Sequence, residues 1–76
     1  MHLANAGGAL KVGIGTITPD ETLHVAGSGK YDSFVQFGSL STAERDALTP
    51  ANGMVIYNST VDKFQGYAGS TWVDLS

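Results

Sequence analysis

Residues that could do chemistry are few and widely spaced in this 76-residue chain. It contains two histidines, His2 and His24, seven carboxylates and no cysteine. Acid–base catalysis and metal binding both need several such groups within reach of one another. Each carboxylate falls in a turn, a helix cap or a solvated face, and none is suitably spaced from a histidine or a nucleophile. The sequence therefore predicts no catalytic residue, no metal site and no cofactor.

Two glycine-containing segments resemble parts of nucleotide-binding loops, but each lacks required residues. The segment GIG at residues 13–15 is followed by Thr18, where a dinucleotide fingerprint has its third glycine. The segment GSGK at residues 27–30 has His24 where a phosphate loop has its first glycine, and Tyr31 follows the lysine. Both segments are interpreted as strand or turn positions, so no nucleotide site is predicted.

Two further features allow a binding role and also a purely structural one. His24 stands between Leu23 and Val25, so strand alternation points its side chain to the opposite face from theirs. If three chains met at an axis, their three His24 side chains could bind a metal or an anion. A hydrogen-bonded structural histidine is the more ordinary interpretation. Three aromatic residues on successive predicted strands could form a platform for a sugar ring. They are Tyr57, Tyr67 and Trp72, and the favoured alternative is that Trp72 and Phe64 fill a core.

Composition excludes two classes of partner. Only 14% of residues are charged, and the net charge is −3. A negative net charge is the wrong sign for binding nucleic acid or an anionic membrane. No segment approaches the roughly 20 apolar residues of a membrane-spanning helix. The N-terminal residues also lack the cationic and apolar stretches of a signal peptide. We therefore expect neither nucleic-acid binding nor membrane insertion.

Apolar periodicity predicts short strands around one short helix. Alternation over residues 10–15, 23–25 and 30–37 predicts three strands. The segment STAE at residues 41–44 is a capping box, which predicts a helix of about two turns before Thr49-Pro50. Residues 54–57, 63–67 and 72–75 predict an antiparallel meander, with loops at 58–62 and 68–71. The predicted fold is mainly β with one short helix, in which extended segments precede a three-stranded meander head.

The chain is predicted to need partners of its own kind. It is short and rich in glycine, with 10 in 76 residues, and no disulfide can stabilise it. Self-association is the remaining route to stability, although a marginally stable monomer is the alternative. We expect a flexible lead-in over residues 1–8, an extended β segment over residues 9–39, and the head over residues 40–76.

Two segments resemble bacteriophage tail-fibre and related trimeric surface-fibre proteins. The first is VGIGT at residues 12–16, followed by Pro19 and by LHV at residues 23–25. The second is LTPANGMVIYN at residues 48–58, followed by KFQGY at residues 63–67 and WV at residues 72–73. Together they cover most of residues 12–75.

The resemblance implies a homotrimeric segment of a virion fibre, outside the cell, that displays loops for host attachment and has no enzymatic activity. Gly13 and Gly15 would then permit close approach of the chains. The alternative is a fibre tip that binds a host glycan or surface protein. The family's proteins are longer, so the chain is expected to be a piece of one. The expected interface residues are Val12, Ile14, Leu23, Val25, Val35 and Phe37.

Overall fold

The computed structural model describes the backbone of residues 2–6 and 9–76, and the side chains from Leu10 onward. The fold is mainly β with one short helix, as predicted. The chain divides into two compact units, Met1–Phe34 and Val35–Ser76. Each unit contains one sheet.

The sheet of the first unit has three strands in the order β1-β2-β3. They are β1 (His2–Ala6), β2 (Ala9–Ile14) and β3 (Leu23–Val25). β1 runs antiparallel to β2, whereas β3 runs parallel to it. The sequence analysis assigned no strand to residues 1–8, because their side chains carry no alternation. Backbone pairing with β2 nevertheless forms β1.

The parallel pairing of β2 with β3 depends on a tight connection over residues 15–22. A Cβ atom at Gly13 would lie 2.5 Å from the carbonyl oxygen of Thr16. Gly15 has a φ of +81°, and a Cβ there would lie 2.9 Å from the carbonyl oxygen of Ala26. These glycines therefore permit a close approach within one chain, and the close approach expected between chains stays a prediction.

No helical turn forms at residues 18–21, where a bend connects the strands. The side-chain oxygen of Thr16 accepts a hydrogen bond from the Thr18 N–H at 3.1 Å. This local hydrogen bond fixes the bend, which is a common role for a threonine side chain in turns.

The strand predicted over residues 30–37 is wrong, because the chain forms no ladder there. Alternation defines two faces, but a strand also needs a neighbour whose backbone accepts and donates hydrogen bonds. No strand of the described residues pairs with this segment. Its apolar side chains, including Tyr31, Phe34 and Val35, are exposed.

The sheet of the second unit has the order β4-β5-β6-β7. Its strands are β4 (Ser39–Leu40), β5 (Val55–Asn58), β6 (Lys63–Ala68) and β7 (Thr71–Asp74). β5, β6 and β7 form the predicted antiparallel meander, with turns at both predicted positions. The two-residue strand β4, which pairs in parallel with β5, is too short to leave a sequence pattern.

The predicted capping box is present at the start of α1 (Thr42–Asp46). The Ser41 hydroxyl accepts from the Glu44 N–H at 3.1 Å, and the Glu44 carboxylate accepts from the Ser41 N–H at 2.9 Å. Hydrogen bonds to the Glu44 carboxylate, first from the Ser41 backbone N–H and second from the Ser41 side chain, hold the pKa of Glu44 below its ordinary value. The helix is shorter than the two turns predicted, since Ala47 already forms its C-cap. In the part of the chain that the structure describes, no helix has the length and apolarity to cross a bilayer.

A polar layer lies between α1 and the sheet. Asn58 and Gln65 are only 1% and 7% exposed, and Ile56 is the one buried large apolar residue among the described residues. The Asn58 amide donates to Gln65 Oε1 at 2.9 Å and to Thr42 Oγ1 at 3.1 Å. Its oxygen accepts from the Thr60 N–H at 2.9 Å. Asn58 therefore joins the helix, the β5–β6 turn and β6 through one side chain.

Gln65 extends this polar layer to β7 and to the helix. Its oxygen also accepts from Arg45 Nη1 at 3.0 Å, and its amide nitrogen donates to Asp74 Oδ1 at 2.7 Å. The hydrogen bond from Gln65 is the main reason that the pKa of Asp74 is lowered, with Lys63 and Arg45 adding to it. Every buried side-chain nitrogen and oxygen in the described residues has a partner.

Substituting Gly13 with alanine is expected to destabilise the fold by about 1–3 kcal/mol, because the new methyl group collides with the Thr16 backbone. Gly38→Ala is the control, since a Cβ at Gly38 meets no atom within 4 Å. Thermal melts of both variants at one chain concentration check this. Equal melting temperatures would contradict this prediction, because they would show that the Thr16 backbone moves away from the new methyl group at no measurable cost in stability.

Substituting Asn58 with alanine is expected to lower the free energy of unfolding by about 2–4 kcal/mol, because it leaves buried partners unpaired. Asn52→Ala is the matched control, since Asn52 is exposed in a turn and such a change is worth about 0.5 kcal/mol or less. Denaturant titration of both variants measures the difference. A loss no larger than that of the control would contradict a stabilising polar layer.

Acid is expected to destabilise the second unit. The folded-state pKa values of Glu44 and Asp74 lie below their ordinary values of 4.5 and 3.8. Their contribution is therefore complete above those values and is lost as the pH falls through the lowered folded values. Melting temperatures across this acidic range measure the loss. Glu44→Gln, which keeps an oxygen for Ser41 but does not titrate, should show a smaller decrease than the parent chain.

Candidate functional site

The first unit carries an apolar face formed by β2 and β3. Their register pairs Val12 with Leu23 and Ile14 with Val25, and paired residues in a parallel ladder share one face. Ile14, Leu23 and Val25 are 44%, 53% and 37% exposed. The four residues that the sequence analysis placed at an interface in this unit are therefore brought together, and most of this surface faces water.

His24 lies on the opposite face of the same strands, where it pairs with Gly13. Its Nδ1 accepts a hydrogen bond from the Asp20 N–H at 3.1 Å, so the ring closes the residue 15–22 connection. The described residues contain no group of three metal-ligating side chains within one chain. The hydrogen bond from the Asp20 N–H therefore supports a structural role for His24. Ion binding by the His24 side chains of several copies stays a prediction.

The remaining two predicted interface residues, Val35 and Phe37, lie in the second unit outside any strand. Both are exposed. The Phe37 ring meets the Phe64 ring edge to face, with centroids 6.3 Å apart. Phe37 therefore extends the apolar surface of the second sheet. Its role at an interface stays a prediction.

The two faces of the second sheet differ: one carries the buried polar residues together with the buried Ile56, and the other carries no charged strand residue. Asn58, Gln65 and Trp72 point to the side covered by α1, where Thr42 and Arg45 contact them. The opposite side, here called the open face, carries Val55, Tyr57, Phe64, Gly66 and Val73. Within the apolar run of residues 54–57, Met54 lies outside β5 and Val55 is exposed, so this strand is not covered on both sides.

The three aromatic residues proposed for sugar binding do not form one platform. Tyr57 lies on the open face, where its ring contacts Phe64 at a centroid distance of 5.1 Å. Tyr67 and Trp72 pair on the helix side at 5.2 Å, and the Arg45 guanidinium lies 5.8 Å from the Trp72 ring centre. Phe64, 41% exposed, also does not fill the core with Trp72. Sugar binding stays a prediction, which a saccharide titration followed by Trp72 fluorescence can test.

The carboxylates of the second unit have structural partners. Asp46 forms an ion pair with Arg45 at 2.9 Å, and Asp62 accepts a hydrogen bond from the Tyr57 hydroxyl at 3.2 Å. Loss of hydration and the neighbouring Asp62 charge raise the pKa of Tyr57. These groups cap, pair or close turns.

Two functional features were missed by sequence reasoning. The polar layer was missed because Asn58 and Gln65 looked like loop and surface residues. The open face was missed because no single strand shows it, although Phe64 stands between the polar residues Lys63 and Gln65. Aligning the three meander strands in antiparallel register would have placed Val55, Phe64 and Val73 together.

Comparison with known proteins gives one family. The family described as the phage tail like trimerisation region matches residues 13–76, which include β3, α1 and the whole second sheet. No curated protein and no solved structure matches the chain significantly. The family is a structural region whose description implies association of three copies, in agreement with the apolar faces left in water. The chain belongs to the phage tail-like trimerisation family.

Proposed function

We propose that this protein holds three chains of a phage-type tail or surface fibre in register and displays loops for attachment to a host. The observation that carries the proposal is the apolar face of β2 and β3, which a single chain leaves in water. Apolar area exposed in this way is stabilised by burial, at about 25 cal/mol per Å². Three copies around one axis would supply that burial.

The proposed arrangement stacks the paired residues in layers. Val12 with Leu23 forms one layer per chain, and Ile14 with Val25 forms the next. Three chains would repeat each layer around the axis, with Val35 and Phe37 contributing from the second unit. The division into an intertwined fibre-like segment over residues 9–39 and a head over residues 40–76 is part of this proposal.

The loops proposed for display are the two meander turns. Ser70 has a φ of +67° and Gly69 a φ of +59°, which are the values of a tight two-residue hairpin turn. In the other turn Asp62 has a φ of +54°, and the Tyr57 hydroxyl donates to its carboxylate. Both turns are exposed and held by local contacts, which suits residues that must present a fixed surface outside the virion to a host glycan or protein.

Ile14→Asp and Val25→Asp are each expected to dissociate or unfold the trimer, because three carboxylates would be buried together. Ile17→Asp is the matched control, since Ile17 is 76% exposed in the residue 15–22 connection. Light scattering after size exclusion should give three times the chain mass for the parent and for Ile17→Asp only.

Two results would contradict the proposal. A folded, single-copy parent chain at micromolar concentration would remove the trimer altogether. Parent-like trimers from both aspartate variants would leave the trimer in place but would exclude the β2–β3 face as its interface.

A further inference from the structure

We infer that the open face of the second sheet is a second self-association surface, packed in the trimer against other copies of this chain. The inference rests on the proposed trimerisation function and assigns it residues that the first-unit interface does not contain. Its central members are Val55, Phe64 and Val73, which neighbour one another across β5, β6 and β7.

The distribution of polarity across this sheet is the first argument. A sheet with one covered side normally buries its apolar face and exposes its polar face. Here the covered side holds Asn58 and Gln65 beside the buried Ile56, whereas Phe64 and Val73 on the open face are 41% and 44% exposed. Phe37 and Leu75 cover only part of the open face, and contiguous exposed apolar surface of this kind marks an interaction site.

Charge is the second argument. The strand residues on the open face are uncharged, while the two charged strand residues of this sheet, Lys63 and Asp74, lie on the helix side and pair at 3.6 Å. An uncharged face can be buried without leaving an unpaired charge in the interface. The Asp62 carboxylate, which accepts from the Tyr57 hydroxyl, lies in the turn beyond this face, so an apolar surface is what complements its centre.

The shape of the face is already fixed in one chain. Phe64 contacts both Tyr57 and Phe37 edge to face, so the three rings hold one another in position. Leu75 lies over Gly66, where a Cβ atom would come within 3.2 Å of Leu75 Cδ1. A preordered aromatic and aliphatic patch loses little side-chain freedom on binding, which favours association.

The occupant is a second copy of this chain. The trimerisation family matches residues 13–76, so every residue of the open face lies inside the region that the family describes as associating. Three copies of one uncharged apolar face can cover one another around an axis, as closed symmetric oligomers require.

Val73→Asp is the direct test in the full 76-residue chain. It is expected to raise the concentration of half-dissociation at least about 100-fold, because a charge enters the interface from each copy. Val73→Thr, nearly equal in volume, should raise it by about tenfold, which keeps the test valid if the aspartate variant fails to fold. Val61→Asp is the control, since Val61 is exposed in the residue 59–62 turn.

Sedimentation equilibrium over a dilution series measures these shifts, and near-ultraviolet circular dichroism of the Tyr67–Trp72 pair reports whether the helix side stays folded. Weakened trimers with an intact dichroism signal support the inference. Val73 variants that associate like Val61→Asp overturn it while leaving the proposed function standing. A monomeric parent chain contradicts the proposed function itself, and with it this surface.

Discussion

The apolar surface that one chain cannot bury is the constraint on which this structure depends. Among the described residues sixteen large apolar side chains are exposed, and Ile56 is the one that is buried. A chain of this length without disulfides has little else to stabilise it. Membership of a trimerisation family gives this surplus a physical reason, because association of three copies would bury part of it.

The polar layer gives each second unit a defined shape before any apolar face is covered. Buried amide groups tolerate only geometries that pair all their donors and acceptors, so Asn58 and Gln65 fix how α1 sits on the sheet. The opposite side carries the exposed apolar residues Val55, Phe64 and Val73. Hydrogen bonds and the buried Ile56 hold the helix side together within one chain, whereas the proposed trimer would cover the open face.

Local signals were predicted well from the sequence, whereas pairings between segments were not. The capping box at Ser41 and Glu44 and the meander turns need only neighbours along the chain, and all are present. β1 and β4 form through backbone pairing that leaves no residue pattern. Residues 30–37 show the converse, because their side chains alternate but no strand of the described residues pairs with them. For the candidate site, alternation grouped Val12, Ile14, Leu23 and Val25, but separating Tyr57 from Tyr67 required the register between strands.

The Gly69-Ser70 turn has a consequence for how this region can vary in length. Both residues have positive φ, and the turn connects β6 directly to β7. Because successive side chains of a strand alternate, a single inserted residue that shifted this pairing would exchange the faces of Trp72 and Val73. Natural variants are thus expected to keep this hairpin at constant length and to place insertions in the longer turn after Asn58.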